Sequence, residues 1–190
     1  MDWKLKNLII KCTALQKKVG EAHFKPEPQS LNRVSPETLQ KITDDVSDLR
    51  TEQELTNCLV FNTDKLPGTV LNDEIIALRK QIDVIIIEKL KKLHPGSDPI
   101  CSGHFWYPPQ SFMGWHTNSR KPGRRFYLNY AEEPGKSFFR YKDPQTGEIV
   151  TAWDDVWNER QFHIQKDPLF WHAIYSNTNR FSFGYLVNVR

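Results

Sequence analysis

The pattern of apolar and polar positions changes character near residue 96. Before it, apolar residues recur at helical spacing. Trp3, Leu5, Leu8, Ile9, Cys12, Leu15 and Val19 form a stripe with lysines opposite, which predicts an amphipathic helix over 3–19, ended by Pro26 and Pro28. Ser35 is an N-cap and Pro36 sits at the first helical position. They predict a second helix, from Pro36 to about Arg50, burying Leu39, Ile42, Val46 and Leu49. Cys58 to Phe61 fits a short strand before a Pro67-Gly68 turn. The longest periodic run, from Asn72 or Asp73 to Leu93, gathers Ile75, Ile76, Leu78, Ile82, Ile85, Ile86, Leu90 and Leu93 on a broad face and stops at Pro95-Gly96. Residues 1–95 hold no catalytic constellation. Packing, substrate shaping or a partner contact is their expected role.

From Ile100 onward the texture is short aromatic and β-branched segments separated by Gly, Pro, Asn and Asp. Eight strands are expected, over 100–107, 112–117, 124–131, 136–142, 147–153, 160–164, 169–175 and 180–188, with Asp143-Pro-Gln-Thr-Gly147 as a hairpin turn. Eight strands in roughly ninety residues with regular turn signals suggest a jelly roll or barrel. The fold class that follows is α+β with a mainly β core. Residues 1–95 would form helices packed on one sheet of a β core over 96–190, within one structural domain.

Composition narrows the field of partners. A chain of 190 residues can bury a real core. Its net charge is only +3, and no block of like charge is long enough for a nucleic-acid arm. The basic cluster Arg120-Lys-Pro-Gly-Arg-Arg125 reads as a solvated loop. Cys12, Cys58 and Cys101 lie more than forty residues apart, a spacing of neither metal ligands nor a disulfide framework. A reducing compartment and a cytoplasmic location are expected. Leu8-Ile-Ile10 is too brief for a signal peptide, and no apolar run reaches the length of a membrane span.

Candidate chemistry centres on 170–185. In an extended chain alternate side chains share a face, so His172 and Ile174 point one way and Trp171, Ala173 and Tyr175 the other. After a Ser176-Asn-Thr-Asn179 turn, Arg180, Ser182 and Gly184 share a face, with Phe181, Phe183 and Tyr185 opposite. An imidazole, a guanidinium, a hydroxyl and a glycine on one face suit a pocket lining. Arginine grips a carboxylate with two parallel bonds, and a hydroxyl can add a third. Another candidate strand brings His116 and, two residues on, Asn118. Two imidazoles and an oxygen donor can hold a six-coordinate metal and leave positions open for substrate.

With these residues in order, the sequence resembles the Fe(II)/2-oxoglutarate-dependent oxygenases, in particular the branch of prolyl 4-hydroxylases and nucleic-acid demethylases. The resemblance covers 100–188 and rests on His116, His172, Arg180 and Ser182. Tyr107 and the segment Arg125-Phe-Tyr-Leu-Asn-Tyr130 before Pro134-Gly135 add to it. It implies a double-stranded β-helix with Fe(II), 2-oxoglutarate and O2 as cofactor and co-substrates. His116, Asn118 and His172 would be the metal ligands. Arg180 and Ser182 would hold the distal carboxylate of 2-oxoglutarate, and Tyr107 would hydrogen-bond the co-substrate. The implied reaction is hydroxylation of a small-molecule or peptidyl substrate, with succinate and CO2 as co-products. Nucleic acid is disfavoured as a partner, and no membrane is expected.

The departure is Asn118, where the family carries Asp or Glu. Three outcomes stay open. In the first, Asn118 or a water completes a working hydroxylase centre. In the second the position accepts chloride, as in the halogenating relatives, and in the third the fold binds 2-oxoglutarate or a partner without turnover. A non-catalytic jelly-roll binding module is the alternative of a different class.

Overall fold

The computed structural model describes residues 2–45, 56–61 and 72–189. The described residues before the main strands hold three α-helices: α1 (Trp3–Gly20), α2 (Pro36–Asp44) and α3 (Asp73–Leu93). Each starts at a capping side chain that satisfies an otherwise unpaired N–H. Asp2 accepts from Lys4 N, Ser35 Oγ from Thr38 N, and Asn72 Oδ1 from Ile75 N at 3.0 Å. A 3-10 turn, Ser30–Val34, precedes α2. Val46, Leu49 and the Pro67-Gly68 turn lie outside the described residues.

Among the described residues ten strands form two antiparallel sheets, the first two lying before α3 in the chain. They are β1 (Thr56–Asn57), β2 (Leu59–Val60), β3 (Ser97–Tyr107), β4 (Ser111–His116), β5 (Gly123–Ala131), β6 (Ser137–Lys142), β7 (Ile149–Trp153), β8 (Trp157–Ile164), β9 (His172–Ser176) and β10 (Arg180–Val189). One sheet runs β1-β4-β9-β6-β7 and the other β2-β3-β10-β5-β8. From β3 to β10 the chain changes sheet at every step except the β6–β7 hairpin, the interleaving of a jelly roll. The Asp143–Gly147 turn closes as expected. Asp143 Oδ1 accepts from Gln145 N at 2.7 Å, and Gly147 takes a left-handed φ of 76°.

Helices α1 and α3 lie on the outer face of the β3-β10-β5 sheet. Leu5, Ile9 and Cys12 meet Ile75, Ile82, Ile86 and Leu90 there, above Trp106, Phe126, Phe181 and Phe183. Side chains such as Ile82 are wholly enclosed, each contributing about 1.5–3 kcal/mol. The expectation that the N-terminal helices share one sheet needs correction. Val34 of the 3-10 turn and Leu39 of α2 pack on the outside of the other sheet, against Phe112, Trp115 and Phe138. Two polar anchors fix them: Trp115 Nε1 donates to Ser35 O at 2.9 Å, and Arg140 Nη1 donates to Val34 O at 2.8 Å. The apolar outer face of this second sheet needs its own cover.

Where α3 meets its sheet, Asp83 accepts from Tyr185 Oη at 2.6 Å and lies 2.9 Å from His104 Nε2. Asp83, Cys101 and His104 place ligand-type atoms within 4.8 Å of one another. Arg79 Nη2 lies 3.7 Å from both the Asp83 carboxylate and the Cys101 sulfur. Burial pushes the Cys101 thiol up to about 11, so it is no thiolate. A guanidinium already supplies the cation, and the cluster clips helix to sheet.

Candidate active site

The face between the sheets holds a cavity of about 180 Å³. Among the described residues its lining runs from Ser102 to Ser182, so α1–α3 contribute none of it. His116 at the end of β4 and His172 at the start of β9 are direct cross-strand partners, with ring centroids 4.1 Å apart. His116 Nδ1 lies 2.8 Å from Gly114 O and His172 Nδ1 lies 2.9 Å from Phe170 O. A carbonyl can only accept, so each Nδ1 carries the proton, and Nε2 is the lone-pair nitrogen of the neutral ring. Burial chiefly, with the neighbouring His116, holds His172 well below its ordinary pKa. A neutral imidazole fixed this way suits metal ligation.

Asn118 follows β4 with a left-handed φ of 56°, a conformation that Asn and Asp tolerate best among side-chain-bearing residues. Its Nδ2 donates to His172 Nε2 at 3.1 Å. The amide thus reaches the same point as the imidazole, and turning it over would present Oδ1 instead. His116, Asn118 and His172 converge on one end of the cavity, and as a neutral donor set they fit a divalent cation less tightly than a set with a carboxylate.

At the other end stands Arg180, 1% exposed. Its Nε donates to Asp154 Oδ2 at 2.8 Å, and its Nη1 is buried without a hydrogen-bond partner among the described residues. Asp154 also accepts from Ser137 Oγ at 2.7 Å and from Arg160 Nη1 at 2.5 Å. Burial pushes the Asp154 carboxyl up, but Arg180 and Arg160 outweigh it and hold the net value low. Two guanidinium charges share one carboxylate, so the trio carries one uncompensated positive charge. Asp154 was not among the expected residues, because a long-range ion pair has no local signature.

The remaining expected residues fall into the same space. Ser182 lines the cavity one alternation beyond Arg180, paired with Asn129 of β5. Tyr107, fully buried, has its ring 5.2 Å from the Arg180 guanidinium carbon, and its hydroxyl lies 3.8 Å from Met113 Sδ. Burial, with Cys58 beside it, raises the Tyr107 pKa well above the ordinary value, so the phenol keeps its proton. Gly184 brings strands close, since a Cβ there would lie 3.0 Å from Ser102 Oγ and 3.3 Å from Tyr127. Trp115 and Trp171 turn to the opposite face. Arg125, Tyr127 and Asn129 also line the cavity. Their alternation along β5 was the signal that could have found them.

No protein-family model and no curated protein sequence matches the chain. Among solved structures it is similar to a Pseudomonas putida prolyl-4-hydroxylase, with 14% identity, 97% of this chain and 86% of that one covered, and a TM-score of 0.46. A 2OG-Fe(II) oxygenase-family oxidoreductase from Burkholderia pseudomallei gives 10% identity, coverages of 83% and 82%, and 0.46. A Trichoplax adhaerens prolyl hydroxylase in complex with a hypoxia-inducible-factor peptide gives 13%, 100% and 94%, and 0.43. At such identities and scores these likenesses carry no weight for the chemistry, which rests on the side chains.

Proposed function

We propose that the chain is an Fe(II)- and 2-oxoglutarate-dependent oxygenase on a double-stranded β-helix. One observation carries the reading: two imidazoles with tethered Nδ1 atoms at one end of a small cavity, and a buried guanidinium with an unpartnered N–H at the other. His116, His172 and the Asn118 side-chain oxygen would hold the metal. Bound Fe(II) supplies the redox chemistry, in which O2 gives one oxygen atom to succinate, released with CO2, and the other to a substrate C–H bond.

The chain's own part is binding and placement. Arg180 Nη1 offers the distal carboxylate a charge-assisted hydrogen bond, while Asp154 fixes the guanidinium through Nε. Ser182 supplies a second donor on the same face, and the Tyr107 ring stacks against the guanidinium. Gly114 and Phe170 carbonyls hold both imidazoles in the ligating tautomer. Phe105, Met113, Phe139 and Ile174 line the space between the ends and exclude water from it.

Two observations favour a second reading, a binding module without turnover. The Asn118 amide satisfies His172 by itself, and Arg180 already has a carboxylate partner. Anaerobic titration with Fe(II) and then 2-oxoglutarate separates the two. The oxygenase reading expects one equivalent of iron and a visible absorbance band that 2-oxoglutarate induces and His172→Ala loses. Absence of iron binding by the natural protein would sink it.

A further inference from the structure

Arg125 lines the same cavity, and nothing in the proposed function uses it. The residue is 5% exposed. Its Nη2 donates to Lys121 O at 2.5 Å, while its Nε is buried without a hydrogen-bond partner among the described residues. Burial chiefly lowers its pKa from the usual arginine value, a sign of a desolvated cation, yet a guanidinium keeps its proton at working pH. None of the described residues lining the cavity is Asp or Glu. A buried cation that no carboxylate compensates is unfavourable, so the site is completed by an anion from outside.

Arg125 is rooted far along the sheet from Arg180. Along β10, Arg180 stands opposite Ala131 and Leu186 opposite Arg125, six residues apart. At about 3.3 Å per residue that is about 20 Å of strand. The two arginines enter the cavity from opposite ends of the strand. Arg125 belongs to the imidazole end, where its charge is among those that lower the pKa of His172. The loop between Asn118 and β5 leaves Arg120 and Lys121 exposed, with the Lys121 carbonyl against the Arg125 guanidinium, while Arg124 faces away toward His94.

We propose that Arg125 seats a carboxylate of the oxidised substrate, which makes that substrate a small organic acid. The inference rests on the oxygenase reading, in which 2-oxoglutarate occupies the Arg180 end. Phe105, Met113, Phe139 and Ile174 suit an aliphatic body, and about 180 Å³ leaves little room for more than a small molecule beside the co-substrate.

The test follows the guanidinium Nε–H signals of the full chain by nitrogen-15 NMR, assigned with Arg125→Lys and Arg180→Lys. Propionate, its neutral amide propionamide, and sodium chloride at matched ionic strength are titrated into protein saturated with 2-oxoglutarate. Propionate alone is expected to move the Arg125 signal. Arg125→Gln should weaken propionate by about tenfold or more and leave 2-oxoglutarate affinity within about twofold, with Arg125→Lys between. An Arg125 signal that ignores propionate, or follows propionamide or chloride equally, overturns the inference. So does one that 2-oxoglutarate itself moves, because the co-substrate then occupies the seat. If 2-oxoglutarate leaves the Arg180 signal unmoved, the oxygenase reading fails instead, and the two failures are read on different signals.

Discussion

Replacing Asp154 with asparagine tests the ion-pair trio that sets up the Arg180 end of the cavity. Oδ2 receives Arg180 Nε and Ser137 Oγ, and Oδ1 receives Arg160 Nη1. Asparagine keeps the shape but turns one oxygen into an NH2 donor. Both oxygens face a guanidinium donor, so either amide orientation sets donor against donor. Two guanidinium charges also lose their shared counter-charge. Removing one partner of a buried pair costs roughly 3–5 kcal/mol. The Arg160 side chain is 12% exposed and keeps some water, which favours the lower end. At roughly 2–4 °C of melting temperature per kcal/mol for this size, the expected loss is about 6–12 °C. Urea unfolding followed by circular dichroism measures the free energy, and thermal melts the temperature. Adding Arg160→Met to Asp154→Asn removes a stranded cation, so the double variant should be more stable than the two single losses added, by about 1–3 kcal/mol. A loss below about 1 kcal/mol, the worth of an exposed pair, would refute the buried trio.

Other predictions address the ligand site and the helix–sheet clip. Arg180→Gln should weaken 2-oxoglutarate by roughly 30- to 100-fold, the worth of about 2–3 kcal/mol in charge-assisted hydrogen bonding, while iron affinity measured anaerobically stays nearly intact. Collapse of iron binding in that variant would reverse the assigned roles. His172→Ala should lose metal binding and turnover together. His104 is held below its ordinary pKa chiefly by burial, against the pull of Asp83. Its proton uptake therefore belongs mainly to the unfolded chain, and stability should fall as pH drops below about 6.5, by up to about 1.4 kcal/mol per pH unit. Asp83 and Asp154 have lowered folded values, so their contribution is present above about pH 4 and disappears as pH falls through those values. Urea titrations between pH 8 and 4 that stay flat down to pH 5 would contradict the histidine contribution.

The strands were legible because alternation is a local property. His172 with Ile174, and Arg180 with Ser182, share the cavity face as period-2 reading requires, and Phe181 and Phe183 enter the core under the helices. Long periodicity and strong caps made α3 legible from Asp73 to Leu93. On α1, Trp3 fits the stripe but is exposed, because a stripe does not tell where a helix runs past its partner. Placement of α2 on the second sheet was illegible because hydrophobicity names a face without naming what covers it. Asp154 was hidden for a related reason. It follows Trp153 in a connection without pattern, and its two arginines come from β8 and β10. The basic cluster before β5 looked like a solvated turn until the strand's alternation turned Arg125 inward while Arg124 stayed outside.

The most direct measurement is conversion of 2-oxoglutarate to succinate under air with Fe(II), comparing the natural protein with Asn118→Asp. Aspartate tolerates the left-handed backbone at this position and restores the negative charge that the donor set lacks. The account predicts slow succinate formation by the natural protein and faster formation, with tighter iron, by the variant. Absence of both iron binding and succinate in the two proteins would contradict it and leave a jelly roll whose paired histidines and buried arginine serve binding alone.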